Sequence, residues 1–299
     1  MAAQIPDFSK TTLLLPFKGE NGSQSFVDHG PFGRAITVTG SAAHSTALSK
    51  PGFGYGSSCY FDGAVDYLST SITLATTWSV RAWIYVSSLS STRGIMMNGA
   101  LSSNANRFQL QVLTDGRLSF YSEAASGTVV LDLSSAVSAI PINTWIHVEA
   151  CSDGTTARLF IDGSLAATGA LSGAASLPST LYIGACRQGG AERYFYGYMN
   201  DFELVANSVL HTSSFTPPMR LLGTVSTTSA NPVTGPDNNP AVRTIVSFPR
   251  QYPARVRTTT SAADGSFSLD LPSAEHTLVY LDDDAGDLYN DLCHRVIPE

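Results

Sequence analysis

Charge is scarce in this chain: Asp, Glu, Lys and Arg make up only 14% of its 299 residues. Little charge beside abundant Gly, Ser, Thr and Ala disfavours solvated helices and favours strands joined by turns. No segment keeps a 3.6-residue apolar period for three turns. No stretch approaches the roughly 20 apolar residues that a bilayer-crossing helix needs, so membrane insertion is not expected. Lys and Arg form no basic stripe, which argues against nucleic acid as a partner. The four cysteines, Cys59, Cys151, Cys186 and Cys293, stand far apart without a CxxC pair. That spacing disfavours zinc and predicts buried, reduced, small apolar side chains. The segment Met1–Asp7 lacks the basic and apolar regions of a secretory signal, which predicts synthesis and folding in a cytoplasm.

What is present is a succession of short alternating segments. Thr12–Leu15, Ser79–Val86, Phe108–Leu113, Leu118–Tyr121, Thr128–Leu133, Trp145–Cys151 and Ala157–Ile161 read as strands. Asp-Gly pairs at 115–116, 153–154, 162–163 and 264–265 supply the positive φ angles of tight hairpins. The plainest case runs Trp145–Cys151, Asp153-Gly154, Ala157–Ile161, Asp162-Gly163, Leu165–Thr168, a three-stranded meander. The pattern predicts an all-β protein of stacked antiparallel sheets. At about 150 residues per domain the length suggests about two domains. Phe215-Thr216-Pro217-Pro218-Met219 breaks the ladder, because consecutive prolines cannot continue one. A second strand set follows: Leu222–Ser226, Val242–Phe248, Arg255–Thr260, Phe267–Leu271 and Thr277–Leu281, interrupted by the polar loop Ser229–Pro240. The expected domains are residues 1–219, a large sandwich, and 220–299, a small one.

Several pieces in residues 1–218 resemble, in order, the laminin G-like, concanavalin A-like jelly rolls common in bacteriophage structural proteins. They are Leu13-Leu14-Leu15-Pro16-Phe17, Gly19-Glu20-Asn21-Gly22, Phe26-Val27-Asp28, Cys59-Tyr60-Phe61-Asp62-Gly63, Asp66-Tyr67-Leu68, Trp78–Ile84, Trp145–Val148, Leu159–Gly163 and Phe195–Phe202. Two departures stand out: Asn200 where the resemblance implies Asp, and Glu203 where it implies a basic residue. Gly223-Thr224-Val225, Pro240–Arg243 and Thr259–Leu269 give residues 220–299 a resemblance to the carboxypeptidase regulatory-like, transthyretin-like sandwich. There Asp264-Gly265 makes the turn, and Phe267 and Leu269 face inward together. The run Asp282–Pro298 resembles the C-terminal signature of phage tail and virion proteins carrying this small domain, with Cys293-His294 replacing the usual aromatic-acidic pair.

That terminal run also holds five of the seventeen aspartates, and residues 271–299 account for −6 of the net charge of −7. Asp282, Asp284 and Asp287 are candidate calcium ligands. An EF-hand loop, however, needs Gly at its sixth position and Glu at its twelfth, and here Gly286 is fifth and Cys293 twelfth. A carboxylate active site needs a cleft that separates two pKa values. The structural alternative has the aspartates capping turns, with Leu288, Tyr289, Leu292, Val296 and Ile297 docking the chain end, and Asp264, Gly265, Tyr289, Asp291 and Arg295 serving fold and assembly. Asp201 and Glu203 form the one acid pair at strand spacing suited to the roughly 5 Å separation of a retaining glycosidase, but they lie on the closing strand. No histidine pair or nucleophile elbow supports a triad.

The binding candidate is Arg187–Tyr198. Aromatic faces beside Arg, Gln and Glu are what a sugar ring needs, and Tyr194, Tyr196 and Tyr198 alternate as if on one strand face, with Arg187 and Arg193 nearby. The other reading makes the tyrosines an ordinary outer face or a subunit contact, with Phe195, Gly197 and Met199 in the core. Trp78, Trp83 and Trp145 are expected in the core. These readings describe a non-enzymatic protein with no cofactor. The resemblance implies a virion protein, tail-associated and contacting a host surface glycan, with other virion proteins as partners and a homo-oligomeric ring or trimer as its state. A capsid decoration protein is the alternative, and a glycan-cleaving tail enzyme is disfavoured by the missing acid pair.

Overall fold

A computed structural model of the protein describes residues 10–53, 56–72, 76–103, 106–173 and 179–218, and beyond these 222–227, 244–249, 257–260, 262–264, 266–272, 276–281 and 292–296. The chain divides into two compact units, Lys10–Pro51 with Tyr55–Pro217, and Pro218–Glu299 with Met1–Ser9 and Gly52–Gly54. Among the described residues there is no helix, and every strand pairing is antiparallel.

The larger unit is a jelly-roll sandwich. Its first sheet runs β13 (Ser164–Ala170), β12 (Thr156–Ile161), β11 (Trp145–Asp153), β6 (Thr77–Val86), β17 (Tyr196–Ala206), β4 (Ser58–Asp62) and β3 (Ala43–Ser45), with β1 (Thr11–Leu15) also paired to β17. The second runs β10 (Val129–Ser134), β9 (Leu118–Glu123), β8 (Arg107–Val112), β7 (Arg93–Asn98), β14 (Thr180–Ile183), β5 (Tyr67–Ser71) and β2 (Thr37–Thr39). A separate hairpin, β15 (Ala185–Gln188) and β16 (Ala191–Tyr194), packs on β7 and β8. The expected meander is β11-β12-β13. Its second turn uses Asp162 and Gly163 at φ 47° and 74°, and the Asp162 carboxylate accepts the His147 N–H at 2.9 Å.

The core lies between the two sheets. Along β6, Trp78, Val80, Ala82, Ile84 and Val86 face it, and Ile146, Val148 and Ala150 do so along β11. Trp78 stacks on Phe108 of the opposite sheet at 4.6 Å and meets Phe120 edge-on at 5.2 Å. The same parity corrects the expectation for Trp145 and places Trp83, which is buried at 8% exposure, outside the layer between the sheets. Trp83 and Trp145 sit at odd positions of these strands and project from the outer face. Lys50 Nζ lies 4.3 Å from the Trp83 ring, and Trp145 is half-buried.

Part of that outer face is covered by the chain after β17. Leu210 N donates to Ser79 Oγ at 2.9 Å, and His211 Nδ1 lies 2.9 Å from Oε1 of the fully buried Glu149. Phe215 stacks on His211 at 3.5 Å and packs against Phe160 at 5.3 Å. Cys59, Cys151 and Cys186 are buried thiols, and burial pushes the pKa of Cys186 up to about 12.

In the smaller unit β18 (Leu222–Thr227) pairs with β21 (Phe267–Pro272). A four-stranded sheet runs β20 (Arg257–Thr260), β19 (Thr244–Pro249), β22 (His276–Leu281) and β23 (Leu292–Val296). Asp264 closes the turn before β21, its Oδ1 accepting from Ser266 N at 3.0 Å and Ser266 Oγ at 2.6 Å. Phe267 is buried. Gly265, Asp282, Asp284, Asp287, Tyr289 and Asp291, and the side chain of Leu269, lie outside the described residues. Arg295 stands on β23 opposite Thr277.

Candidate functional site

The sequence-predicted binding segment begins as a hairpin. Gly189 and Gly190, at φ 59° and 80°, make the two-residue turn that pairs Gln188 with Ala191, a geometry that glycine adopts without steric cost. Arg187 turns toward β7 and β8, its Nη1 donating to Leu101 O at 2.7 Å and its N–H to Gln109 Oε1 at 3.2 Å. Arg193, across the hairpin, lines an open polar cleft of about 500 Å³.

The three tyrosines do not share one face, which corrects the alternating reading. Phe195 leaves β16 and enters the core, meeting Phe61 edge-on at 5.8 Å, and so carries the chain from one sheet to the other. Tyr194 stays behind over the second sheet, stacked on Tyr67 at 6.5 Å and hydrogen-bonded to Glu192. Burial and that bond raise its pKa to about 12. Tyr196 and Tyr198 lie on β17, on the outer face of the first sheet.

There Tyr198 joins a row that the linear sequence does not display. It stands opposite Tyr60 on β4 and Tyr85 on β6, and Tyr85 stands opposite Trp145 on β11. Four adjacent strands thus carry four aromatic rings in register. Successive centroids are 5.0, 5.9 and 5.6 Å apart, and all four side chains are half-buried. Cross-strand aromatic neighbours at this spacing hold one another in place. The row is bordered by Tyr196 opposite Asp62 and, on the other side, by Trp83 under Lys50. Burial raises the Tyr60 pKa, helped by the neighbouring hydroxyls of Tyr196 and Tyr198 and the carboxylates of Asp62 and Asp66. Trp145 Nε1 is buried without a hydrogen-bond partner among the described residues. A sheltered indole N–H normally has one.

The acid pair on the closing strand is separated by a bulge. Asn200 pairs with Trp83 and Glu203 with Arg81, so Asp201 and Phe202 together oppose a single residue of β6, and Asp201 has φ 51°. Glu203 is 1% exposed. Its Oε2 accepts from Arg81 Nε at 2.7 Å, and Nη2 lies at 2.5 Å; its Oε1 accepts from Thr11 Oγ1 at 2.7 Å. Asn200 in turn bonds Ser57 O at 2.8 Å and the Lys50 N–H at 2.9 Å. Both departures from the family resemblance therefore serve internal packing.

Comparison with known structures returns likeness of fold at low identity. The chain is similar to a botulinum neurotoxin serotype G binding domain at 10% identity, TM-score 0.51, covering 95% of this chain and 70% of that one. It is similar to domain 4 of AbnA, a GH43 extracellular arabinanase from Geobacillus stearothermophilus solved with arabinotriose, at 15% identity and TM-score 0.47, covering 66% and 92%. It also resembles the CBM40 of Ruminococcus gnavus IT-sialidase bound to α2,3-sialyllactose, at 15% identity and TM-score 0.40, covering 47% and 80%. No curated protein matches the sequence. The family model of the concanavalin A-like lectin/glucanases superfamily matches residues 62–211, half of the chain. With its two-sheet jelly roll, the chain belongs to the concanavalin A-like lectin/glucanases superfamily.

Proposed function

We propose that the protein is a non-enzymatic, glycan-binding structural component of a bacteriophage virion, tail-associated, with the jelly roll contacting the host surface. The observation that carries the glycan reading is the in-register row Tyr60–Tyr198–Tyr85–Trp145. At a strand spacing of about 4.8 Å it extends for about 14 Å, suited to an oligosaccharide rather than a single ring. Pyranose C–H faces stack on aromatic rings while hydroxyls at their edges form hydrogen bonds. The tyrosine hydroxyls, Asp62 and Lys50 offer those bonds. Membership of a superfamily named for lectins and glucanases is consistent with this. Binding without cleavage is supported by the Glu203 carboxylate, both of whose oxygens are engaged by Arg81 and Thr11.

The virion assignment rests on the terminal run Asp282–Pro298 and on the transthyretin-like reading of residues 220–299, whose described strands form antiparallel sheets. That smaller domain is the proposed attachment to the particle. Calorimetric titration of the full chain with oligosaccharides released from the host envelope tests the glycan reading. Tyr85→Ala is expected to weaken binding about tenfold, the effect of losing a central contact of roughly 1.4 kcal/mol; equal affinity of the variant and the unaltered protein argues against it. Gel densitometry of purified virions tests placement. A handful of copies supports a tail component, and tens to hundreds support capsid decoration instead.

A further inference from the structure

The open cleft beside the hairpin is chemically unlike the aromatic row. Its walls come from the β6–β7 connection (Ser90, Thr92), the β8–β9 turn (Asp115, Arg117) and the β15–β16 hairpin (Gln188, Arg193). Three of the acceptors there, the Asp115 carboxylate, the Gln188 amide oxygen and the Ser90 hydroxyl, are already engaged. Asp115 takes the Arg117 Nε–H at 2.8 Å through Oδ2 and the Arg117 N–H at 3.2 Å through Oδ1. Gln188 Oε1 accepts the Thr92 hydroxyl, which turns the amide so that its NH2 is left to donate. Ser90 Oγ accepts from Arg93 Nη2 at 3.1 Å. Two donors, by contrast, are unspent, the Gln188 amide and Arg193. The half-buried Arg193 guanidinium makes no hydrogen bond or ion pair with any described residue, although guanidinium groups in sheltered positions are normally paired.

Charge and hydrogen-bond capacity therefore point the same way. Arg117 and Asp115 cancel, Arg193 leaves one uncompensated positive charge, and the free Gln188 amide adds a neutral donor. A single planar anion fits this set, because a guanidinium offers two parallel N–H bonds to a carboxylate. One side chain links the cleft wall to the border of the aromatic row. Arg93, which bonds Ser90 on the cleft wall, lies 5.5 Å from the ring of Tyr196.

We propose that this cleft is an acidic-sugar subsite, in which Arg193 and the Gln188 amide bind the carboxylate of an acidic sugar residue. The proposal rests on the glycan reading above, and its test separates the two. The full chain is applied to an array that carries each carboxylated glycan beside its carboxyl-reduced neutral counterpart and a sulfated counterpart. The unaltered protein is expected to prefer carboxylated members. Arg193→Gln should lose that preference, weakening acidic binding roughly tenfold or more, as for a charge-assisted hydrogen bond, while neutral binding persists. Gln188→Ala should weaken the acidic members by a smaller factor. Neutral binding that depends on Tyr85 but shows no acid preference overturns the subsite and leaves the glycan reading standing. Acidic binding unchanged in Arg193→Gln, or a preference for sulfated members, likewise overturns it. Absence of binding to every member overturns both.

Discussion

Replacing Glu203 by alanine removes the one carboxylate that compensates Arg81. The pair is deeply buried, at 4% and 1% exposure, and Thr11 completes it from β1. It sits where β1, β17 and β6 meet, the strands at the centre of the first sheet. In Glu203→Ala the guanidinium keeps its charge in a dry environment and the Thr11 hydroxyl loses its acceptor. Removing one partner of such a pair costs about 3–5 kcal/mol, a large share of the roughly 5–15 kcal/mol that holds a domain folded. The assay is urea unfolding followed by tryptophan fluorescence. It reports the jelly roll alone, because Trp78, Trp83 and Trp145 are the only tryptophans and all lie in that unit. With a urea slope of roughly 3 kcal/mol per molar, the midpoint should fall by about 1–1.7 M. The double variant Arg81→Met with Glu203→Leu should regain most of the loss, since apolar replacement of both partners relieves the stranded charge. A fall below about 1 kcal/mol, the value of an exposed pair, would refute the reasoning.

The tryptophans should differ in the same assay. Trp78→Ala empties the contact with Phe108 and Phe120 and should cost about 3–5 kcal/mol, whereas Trp145→Ala, on the outer face, should cost about 1 kcal/mol; equal losses would contradict the assigned parity. His44 gives a pH test. Burial depresses its imidazole below the ordinary 6.5, against the opposing pull of the Ser25 and Phe17 carbonyls. The unfolded chain then binds more protons in mild acid, so this contribution to stability is present above 6.5 and is lost as the pH falls through the folded pKa. An NMR titration of the His44 ring should show a midpoint below 6.5, and a midpoint above it would reverse the sign.

What could be read from the sequence was whatever local chemistry decides. Asp153-Gly154 and Asp162-Gly163 announce hairpins because positive φ is a property of those residues themselves, and the meander between them follows. β7, Arg-Gly-Ile-Met-Met-Asn, was not legible, because every one of its residues is buried: the β15–β16 hairpin covers its outer side, so the alternation that marks a half-exposed strand is missing. Tyr194, Tyr196 and Tyr198 misled for a related reason. Period two holds only within one strand, and Phe195 takes the chain out of one sheet and into the next. The bulge at Asp201 upset the parity of the acid pair in the same way. The aromatic row was beyond sequence reasoning altogether. Residues 60, 85, 145 and 198 become neighbours only through the registers of β4, β17, β6 and β11, which the whole sheet sets. Arg193 stands out in the sequence as a polar group beside the tyrosines, but that it has no partner among the described residues is visible only once the cleft is formed.

The most direct test of the central claim is the fluorescence of Trp145 during titration with host-envelope oligosaccharide. Trp78 is enclosed in the core and Trp83 lies under Lys50, so Trp145 is the tryptophan within reach of a ligand on the row. The account predicts a saturable change in emission, with reduced acrylamide quenching, that disappears in Trp145→Phe. Saturable binding, shown by calorimetry, that leaves Trp145 emission and quenching unchanged would contradict it.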